Sequence, residues 1–573
     1  MYGRQSRELM FNPNYNSGLM AVLEILLTLR QSACLLIFTI WIALGSNTLY
    51  AQKFFPDDPI WIDEDRISVE KPQATQLSQV TDFIKGSYIH SLKQGETIAP
   101  SENVNSLGEV PDSSWFTNRI GRHLITMEEM IRGPDRLQGP DRSQPWVVVS
   151  GKSEGASPGF TILDGRGETY FIKFDPQDYP QLTTSTELIA TKFFHAAGYN
   201  VPHNYLIQIR RDQLHVGPQA ITIGVNGRKR PMREADIDII CQKVPKRPDG
   251  TMQTLASRTL EGEPLGPFEY FGTRSDYPND IFPHQNRREL RGLRVFSAWL
   301  NCDDARSINS LNTYIRLSEG GYVKHHLIDF ESCFGNGSIT LQSPRANYEQ
   351  MVGMKPSLKA GLSLGWWNRP RKHLSYPDYP SISLFGSDSF DPIKWKTKYP
   401  NPAFIRMLPV DALWATKIIM KFTDEIIGAL VRTGQITNSQ AEDYLVQTLI
   451  RRRDKIIRYF LPRINPLVDF TITGNPGALN LEFRSLGAEA NLSNTNSYHY
   501  QWFRFNNKQQ SIESLVKSQL SPQPMLAIPK DKAEFLMVLI STRSAQHKNW
   551  QKKIKIYIRN GLRKSVVGIE REL

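Results

Sequence analysis

Three oxygen-bearing side chains in the middle of the chain have types and a spacing that suit phosphoryl transfer. Asp304 is followed five residues later by Asn309, and Asp329 comes after a further apolar stretch. In this chemistry one carboxylate orients the attacking hydroxyl, while an amide oxygen and a second carboxylate hold Mg²⁺ against the phosphates. The spacing selects between two adjacent aspartates, because Asp303 would be matched with Ile308. We therefore predict Asp304 as the catalytic base and Asn309 and Asp329 as metal ligands.

Two strand-like segments would position these three residues. Residues 311–317 and 322–328 are rich in β-branched and aromatic side chains, and a Gly-Gly pair separates them. This pattern predicts a β-hairpin. Asp304 and Asn309 precede its first strand and Asp329 follows its second, so all three lie at one end of the hairpin. Taken alone, the pattern also fits a solvated acidic loop.

A lysine within an apolar strand adds to the pattern. Lys173 has Phe171, Ile172 and Phe174 as neighbours, and a charge in such a strand requires a partner. Glu187 follows in a segment with helical periodicity. A helix glutamate that reaches a strand lysine is the ion pair with which kinases place the α- and β-phosphates of ATP. The alternative is an edge-strand lysine and a glutamate favoured at a helix start by the helix dipole.

The segments around this lysine predict a nucleotide-binding sheet. Residues 146–150 and 160–163 are strand candidates, and the turn between them contains Gly151 and Gly155. Backbone N–H groups of such a turn can bind phosphates. A later strand ends just before Glu261, where a hinge would form hydrogen bonds with adenine. We therefore predict Gly151, Gly155 and Glu261 as nucleotide contacts.

Together these motifs resemble the atypical branch of the protein-kinase-like superfamily, over roughly residues 146–459. The segment 304–309 is similar to the Asp-x-His-x-x-Asn loop of HipA-type kinases and to the loop of phosphoinositide kinases, with Arg306 in place of the histidine. Asp329 and Phe330 resemble the start of the magnesium-binding Asp-Phe-Gly, with Glu331 in place of the glycine.

The resemblance implies an α+β, two-lobed kinase-like fold. It also implies ATP and Mg²⁺ as cofactors, and phosphoryl transfer to a protein or small-molecule acceptor. Two alternatives stay open. One is a catalytically degenerate kinase fold that acts as a binding or scaffold protein of the cell envelope. The other is an enzyme that transfers AMP with the same residues.

Changes in pattern along the chain predict five regions. An apolar run at residues 33–44 follows Arg30 and precedes Ala51, as in a secretory signal, with an uncleaved anchor as the alternative. From Asp469 the apolar period changes to two, which predicts an antiparallel β-sandwich. The regions are 1–51 (signal peptide or anchor), 52–145 (irregular wrapping extension), 146–280 (small lobe), 281–465 (helical lobe) and 466–573 (β-domain).

Several helices and strands complete the prediction. We expect the helix that carries Glu187 to be capped by Thr184 or Ser185 and to end at Gly198. Further predicted elements are strands at 169–174, 205–209 and 238–243 and helices at 285–300, 411–431 and 439–460.

Composition restricts the partners and the compartment. The chain has 573 residues and a net charge of +12, but its Lys and Arg residues are scattered and no zinc-finger or RNA-recognition motif occurs. We therefore expect no nucleic-acid partner, a monomer, and membrane contact only through an uncleaved N-terminal segment. The predicted location is secreted, periplasmic or in the cell envelope. Beyond the apolar segment, the odd set Cys241, Cys302 and Cys333 favours buried free thiols, with a Cys302–Cys333 pair beside the site as the alternative.

Overall fold

A computed structural model describes residues 52–91, 95–135, 138–151, 157–224, 228–342, 347, 376–493 and 497–572. The described part is a mixed α and β protein with ten α-helices and several sheets. It divides into two compact units. The larger contains residues 56–505 and 512–572, and the smaller contains residues 52–55 and 506–511. In the smaller unit the Asn507 side chain bonds both backbone groups of Phe54 at 2.8 Å. All elements below belong to the larger unit.

The described residues of the segment 56–145 are largely irregular. They form two short α-helices, α1 (Gln79–Ile84), which a π-helical turn at Lys85–Ile89 continues, and α2 (Met127–Arg132). The segment's buried side chains Val110, Trp115 and Phe116 belong to the same core as the helices that follow. The segment therefore packs against the rest of the unit, as a wrapping extension would. The predicted domain boundaries themselves stay a prediction.

A sheet of seven strands carries Lys173. Its strands are β1 (Trp146–Gly151), β2 (Gly159–Leu163), β3 (Thr169–Phe174), β4 (Asn204–Ile209), β5 (Leu214–Ile223), β6 (Lys229–Pro231) and β7 (Met252–Arg258). The order is β4-β7-β3-β2-β1-β5-β6, antiparallel except for β1 with β5. Tyr170, Ile172 and Phe174 point into the core of this sheet. Because side chains alternate along a strand, Lys173 points to the opposite face.

Helix α3 (Leu182–Ala197) covers that opposite face and carries Glu187. The predicted cap at Thr184 or Ser185 is wrong, because the helix begins at Leu182. The cap comes from outside the helix: Asp175 Oδ1 accepts the backbone N–H groups of Thr183 and Thr184, each at 2.9 Å. The helix ends at Gly198 as predicted, with φ of 129°.

The strand predicted at residues 238–243 is also wrong. Helix α4 (Glu234–Gln242) occupies this segment. Ile237 and Cys241, four residues apart, are buried, whereas Ile239 is exposed. The local alternation of isoleucine and aspartate suggested period two, but tertiary packing favours the helical period.

The predicted β-hairpin is confirmed. A three-stranded sheet contains β8 (Glu263–Gly266), β9 (Ser310–Arg316) and β10 (Gly321–Leu327) in the order β10-β9-β8. β9 and β10 pair antiparallel from Arg316 with Gly321 to Ser310 with Leu327. Helix α5 (Arg288–Leu300) delivers the chain to the loop before β9.

The helical part contains α5, α6 (Pro402–Ile405), α7 (Pro409–Ile419), α8 (Asp424–Arg432) and α9 (Ser439–Phe460). The predicted helix at 439–460 is confirmed. The single helix predicted at 411–431 is two helices, because Thr423 caps α8 with its side chain, which accepts the Ile426 N–H at 3.2 Å.

The C-terminal part forms two antiparallel sheets beside the short helix α10 (Leu486–Glu489). One contains β11 (Leu467–Asn475), β12 (Ala478–Ser485) and β16 (Met525–Ala527). The other contains β13 (Ser497–Phe505), β14 (Ile512–Ser514), β15 (Gln519–Ser521), β17 (Phe535–Arg543), β18 (Ile554–Asn560) and β19 (Lys564–Arg571). Residues of both sheets share one core, including Leu481 and Trp502, as in a sandwich.

The predicted signal or anchor segment, 1–51, lies outside the described residues. Within the residues that are described, no helix is both long and apolar enough to span a membrane.

Candidate functional site

Lys173 lies at the centre of a buried cluster of carboxylates. Its Nζ is 2.7 Å from Glu187 Oε2, 2.6 Å from Asp329 Oδ1 and 3.3 Å from Glu331 Oε2. The pairing of Lys173 with Glu187, predicted from sequence, is therefore present, and Asp329 comes to the same ammonium group. Asp329 is the most exposed member of the cluster, with 38% of its side chain accessible.

Packing on α3 holds the Asp329 segment beside the lysine. The Phe330 ring stacks on Phe194 of α3, with ring centroids 4.9 Å apart. Asp329 itself has φ of 60°, in the left-handed region that few residues other than glycine adopt. The backbone turn at the end of β10 thus turns the Asp329 carboxylate towards the helix that carries Glu187.

The cluster has more negative than positive charge. Burial lowers the pKa of Lys173, but Asp329, Glu187 and Glu331 together outweigh burial and raise it well above its usual range. Burial raises the pKa of Glu187, and the neighbouring Asp329 and Glu331 carboxylates add to the rise that Lys173 opposes. The lysine therefore stays charged.

The loop before β9 brings Asp304 and Asn309 close to the end of β10. The Asn309 side chain donates to the Asp304 carbonyl at 2.8 Å, and the Ile328 N–H donates to the Asn309 carbonyl at 3.1 Å. Arg306 Nε lies 2.8 Å from Asp304 Oδ1 and forms an ion pair with it. Arg306, which stands where the kinase motif resembled by the sequence has histidine, thus pairs with the predicted base.

A small cavity of about 30 Å³ joins the predicted catalytic and metal-binding residues. Asp304, Asn309 and Asp329 all line it, together with Phe330. This volume is sufficient for one or two water molecules or an ion. The three residues therefore share one cleft, as the hairpin predicts, while their roles stay predictions.

The predicted nucleotide contacts are less well placed. Gly151 ends β1 and Gly155 lies outside the described residues. Glu261 is exposed and does not join the cluster. β7 pairs Leu255 with Lys173 and Arg258 with Tyr170, so Glu261 lies beyond the opposite end of β3.

Two features of the site differ from the preferred predictions. The first is Glu331, whose contact with Lys173 requires the three-dimensional fold. The second is a disulfide between Cys302 and Cys333, so the preferred prediction of free thiols is wrong for this pair and right for the buried Cys241. The position of both cysteines beside the site, one before Asp304 and one after Glu331, was the signal for the pair.

The wrapping extension also reaches the loop before β9. Burial raises the pKa of Asp82, and its hydrogen bonds with the Ser307 side chain and the Ile308 backbone oppose that rise. The ring of Tyr399 lies 4.9 Å from the Arg306 guanidinium. Residues remote in sequence therefore surround the loop that carries Asp304.

The donor atoms fit a hard divalent cation. Glu187, Asp329 and Glu331 offer carboxylate oxygens within 4.8 Å of one another, the one such group of His, Cys, Asp and Glu side chains found in the part of the chain that the structure describes. Mg²⁺ prefers oxygen ligands and usually takes only one or two carboxylates from the protein. Asp329, with Asn309 nearby, suits that requirement.

Comparisons with known proteins add little. No family model and no curated protein matches the chain. The crystal structure of a Helicobacter pylori proinflammatory kinase, CtkA, is similar over 54% of this chain and 92% of that chain, with 13% sequence identity and a TM-score of 0.28. A TM-score this low does not establish a shared fold.

Proposed function

We propose that this protein is a secreted or envelope-attached kinase-like phosphotransferase that binds ATP with Mg²⁺. One observation carries the proposal: the Lys173 ammonium contacts Glu187 at 2.7 Å and Asp329 at 2.6 Å, beside a cleft that Asp304 and Asn309 also line. A strand lysine, a helix glutamate and a metal-binding aspartate in one cluster are the parts that position nucleotide phosphates in kinases.

Each residue of the site has a distinct task in this proposal. Lys173 binds the α- and β-phosphates, and Glu187 holds the ammonium in place. Asp304 accepts a hydrogen bond from the acceptor hydroxyl and orients it towards the phosphate. Arg306 lies beside Asp304 and supplies positive charge where the transferred group would pass.

Asp329 and Asn309 would hold the metal ion. When bound, Mg²⁺ supplies positive charge that offsets the negative charge of the phosphates. The protein's own contribution is to hold the carboxylate and amide oxygens at one end of the hairpin, so that the ligands are in place before the nucleotide binds.

The disulfide supports the proposed location. Disulfides persist in oxidising compartments and are rare in the cytosol, where thiols are kept reduced. The Cys302–Cys333 bond therefore agrees with the secretory signal predicted within residues 1–51. The acceptor is a hydroxyl-bearing protein or small molecule.

Binding and turnover of Mg·ATP by the purified protein test the proposal. We expect Asp329→Ala to abolish metal-dependent nucleotide binding, since it removes a charged ligand. Asp304→Ala should bind Mg·ATP nearly as wild type and slow transfer by roughly 10²–10⁴. Asp212→Ala, at an exposed position, is the control. A wild-type protein without Mg·ATP affinity, or an Asp329→Ala variant with full affinity, would refute the assignment.

A scaffold function is the second candidate, and the ion pair between Arg306 and Asp304 favours it. A base held by an arginine is less available to a hydroxyl. In that case the wild type binds nucleotide without turnover, and Asp304→Ala has no effect on either measurement.

A further inference from the structure

Glu331 stands two residues after Asp329, where the related motif has glycine. Its side chain is buried, with 7% exposed. Oε2 lies 3.3 Å from Lys173 Nζ and accepts a hydrogen bond from the Ser157 hydroxyl at 2.8 Å. A glycine at this position has no side chain and makes neither contact. Both contacts are therefore additions to the motif.

Ser157 lies two residues before β2, which is the neighbour of the strand that carries the lysine. The Phe174 N–H donates to the Pro158 carbonyl at 3.0 Å, and Gly159 pairs with Lys173 across β2 and β3. Ser157 is itself buried. Glu331 therefore connects Lys173 of the sheet, and Ser157 just before β2, to the hairpin exit that carries Asp329.

Glu331 also alters the charge balance of the cluster. Three carboxylates around one ammonium leave a formal charge of −2 when all are ionised. Buried like charges repel one another, which is unfavourable for the folded protein before any cation binds. The same excess of negative charge attracts a divalent cation to the cluster. A residue kept only for stability would not be expected to add this repulsion.

We propose that Glu331 is a positioning residue of the nucleotide site, which holds Lys173 beside Asp329 and ties both to Ser157. The inference rests on the proposed function, because the position of the lysine matters only if the lysine contacts phosphates. Reacting and positioning groups tolerate little displacement: a shift of about 1 Å can cost roughly 10²-fold in rate.

Three substitutions separate the two contacts. Glu331→Gln keeps the shape and an oxygen that can accept from Ser157, but it removes the charge beside Lys173. Ser157→Ala removes only the hydroxyl. Glu331→Ala removes both contacts, so adding Ser157→Ala to it should change nothing further. Glu319→Gln, at an exposed turn position, is the matched control.

The experiment measures the Kd of Mg·ATP by calorimetric titration and the Tm of each variant. We expect Glu331→Gln to weaken binding at least about tenfold, as for the loss of a hydrogen-bonded charge, without a lower Tm, since like-charge repulsion is relieved. Ser157→Ala should weaken binding about threefold to tenfold. The Glu331→Ala and double variants should agree within about twofold.

The outcomes distinguish the inference from the function on which it rests. If the wild type binds Mg·ATP and all the Glu331 variants bind it equally well, the positioning role is refuted while the proposed function stands. A fall in Tm that accompanies the loss of affinity would assign Glu331 a purely structural role and also overturn the inference. If the wild type binds no Mg·ATP, both fail together.

Discussion

Asp303 and Asp304 are neighbours in sequence, but their environments differ. Asp303 is fully buried, and its Oδ2 accepts a hydrogen bond from the Gln342 side chain at 2.5 Å. Burial raises the pKa of Asp303 to about 7, and the adjacent Asp304 carboxylate contributes to the rise while Lys398 opposes it. Asp304 instead lines the cleft and faces Arg306. The spacing argument that selects Asp304 thus agrees with its access to the site.

The raised pKa of Asp303 predicts that the stability of the folded protein depends on pH. Its folded pKa is about 7 against an ordinary value of 3.8, so its stabilising contribution is complete below pH 3.8 and is lost as pH rises through 7. Asp303→Asn resembles the protonated form at every pH. We therefore expect the free energy of unfolding of the variant, relative to that of wild type, to rise by about 2 kcal/mol from pH 5.5 to pH 8.5. Unfolding in urea at both pH values measures this gain.

A second variant is the control for this experiment. Asp212→Asn changes an exposed aspartate, and its stability relative to wild type should not depend on pH in this range. An equal stability difference for Asp303→Asn at pH 5.5 and 8.5 would mean that the Asp303 carboxyl is not neutral at the lower pH.

At the scale of single residues, the sequence predicts site residues that are close together in the chain or that occur in the order of a known motif. Asp304 and Asn309 are five positions apart in one loop, and Lys173 with Glu187 fits a strand followed by a helix. Glu331 could not be found in this way, because its partners Lys173 and Ser157 meet it only after the hairpin folds against the sheet.

The disulfide is the main structural link between the elements of the site. It joins Cys302, two residues before Asp304, to Cys333, two residues after Glu331. The bond closes a segment with a sequence separation of 31 that contains the whole β9–β10 hairpin. The loop that carries the predicted base and the segment that carries the predicted metal ligand Asp329 are therefore linked covalently as well as by hydrogen bonds.

Removal of this bond should loosen the site and lower stability. We expect the double variant Cys302→Ser/Cys333→Ser to lose about 3–4 kcal/mol of unfolding free energy, from the added chain entropy of the unfolded state. Its affinity for Mg·ATP should fall as well, because Asp304 and Asp329 are less firmly placed. Denaturant unfolding and nucleotide titration measure the two effects.

The buried Cys241 provides the comparison for that experiment, since Cys241→Ser changes a thiol outside the site. A double variant that is as stable as Cys241→Ser would show that the disulfide contributes nothing to the fold. If the double variant loses stability but binds Mg·ATP as tightly as wild type, the disulfide stabilises the fold without affecting the site.

Element boundaries depend on side chains that the local pattern does not contain. The sequence correctly predicts the strands around Lys173 and the helix at 439–460, where periodicity and caps agree. It misplaces the start of α3, because the capping side chain is Asp175, which precedes the helix in a separate loop. The strand predicted at 238–243 fails for a related reason, since only tertiary packing shows which isoleucines are buried.

At the scale of the whole molecule, the wrapping extension is part of the core of the larger unit. Trp115 is 4% exposed and stacks on His325 of β10, with ring centroids 3.5 Å apart. The Arg287 guanidinium lies over the Trp115 ring, 4.4 Å from its centroid. The extension thus packs against the hairpin whose end carries Asp329. The proline-rich, irregular sequence of the extension did not indicate this contact.

This arrangement gives a prediction about cooperativity. We expect Trp115→Ala to cost about 3–5 kcal/mol, as for other buried tryptophans, and to lower the Tm of the transition in which the helices of the larger unit unfold. Trp61→Ala is the control within the same extension, because Trp61 is partly exposed beneath Arg122, and it should cost much less. Far-UV circular dichroism at 222 nm during heating reports the helices.

If the extension were a separate module, Trp115→Ala would instead produce an early transition that leaves the helical signal and the main Tm unchanged. The coupling is physical: a cavity at Trp115 removes contacts from His325 of β10 and from Arg287, which precedes α5, so the loss cannot stay within the extension.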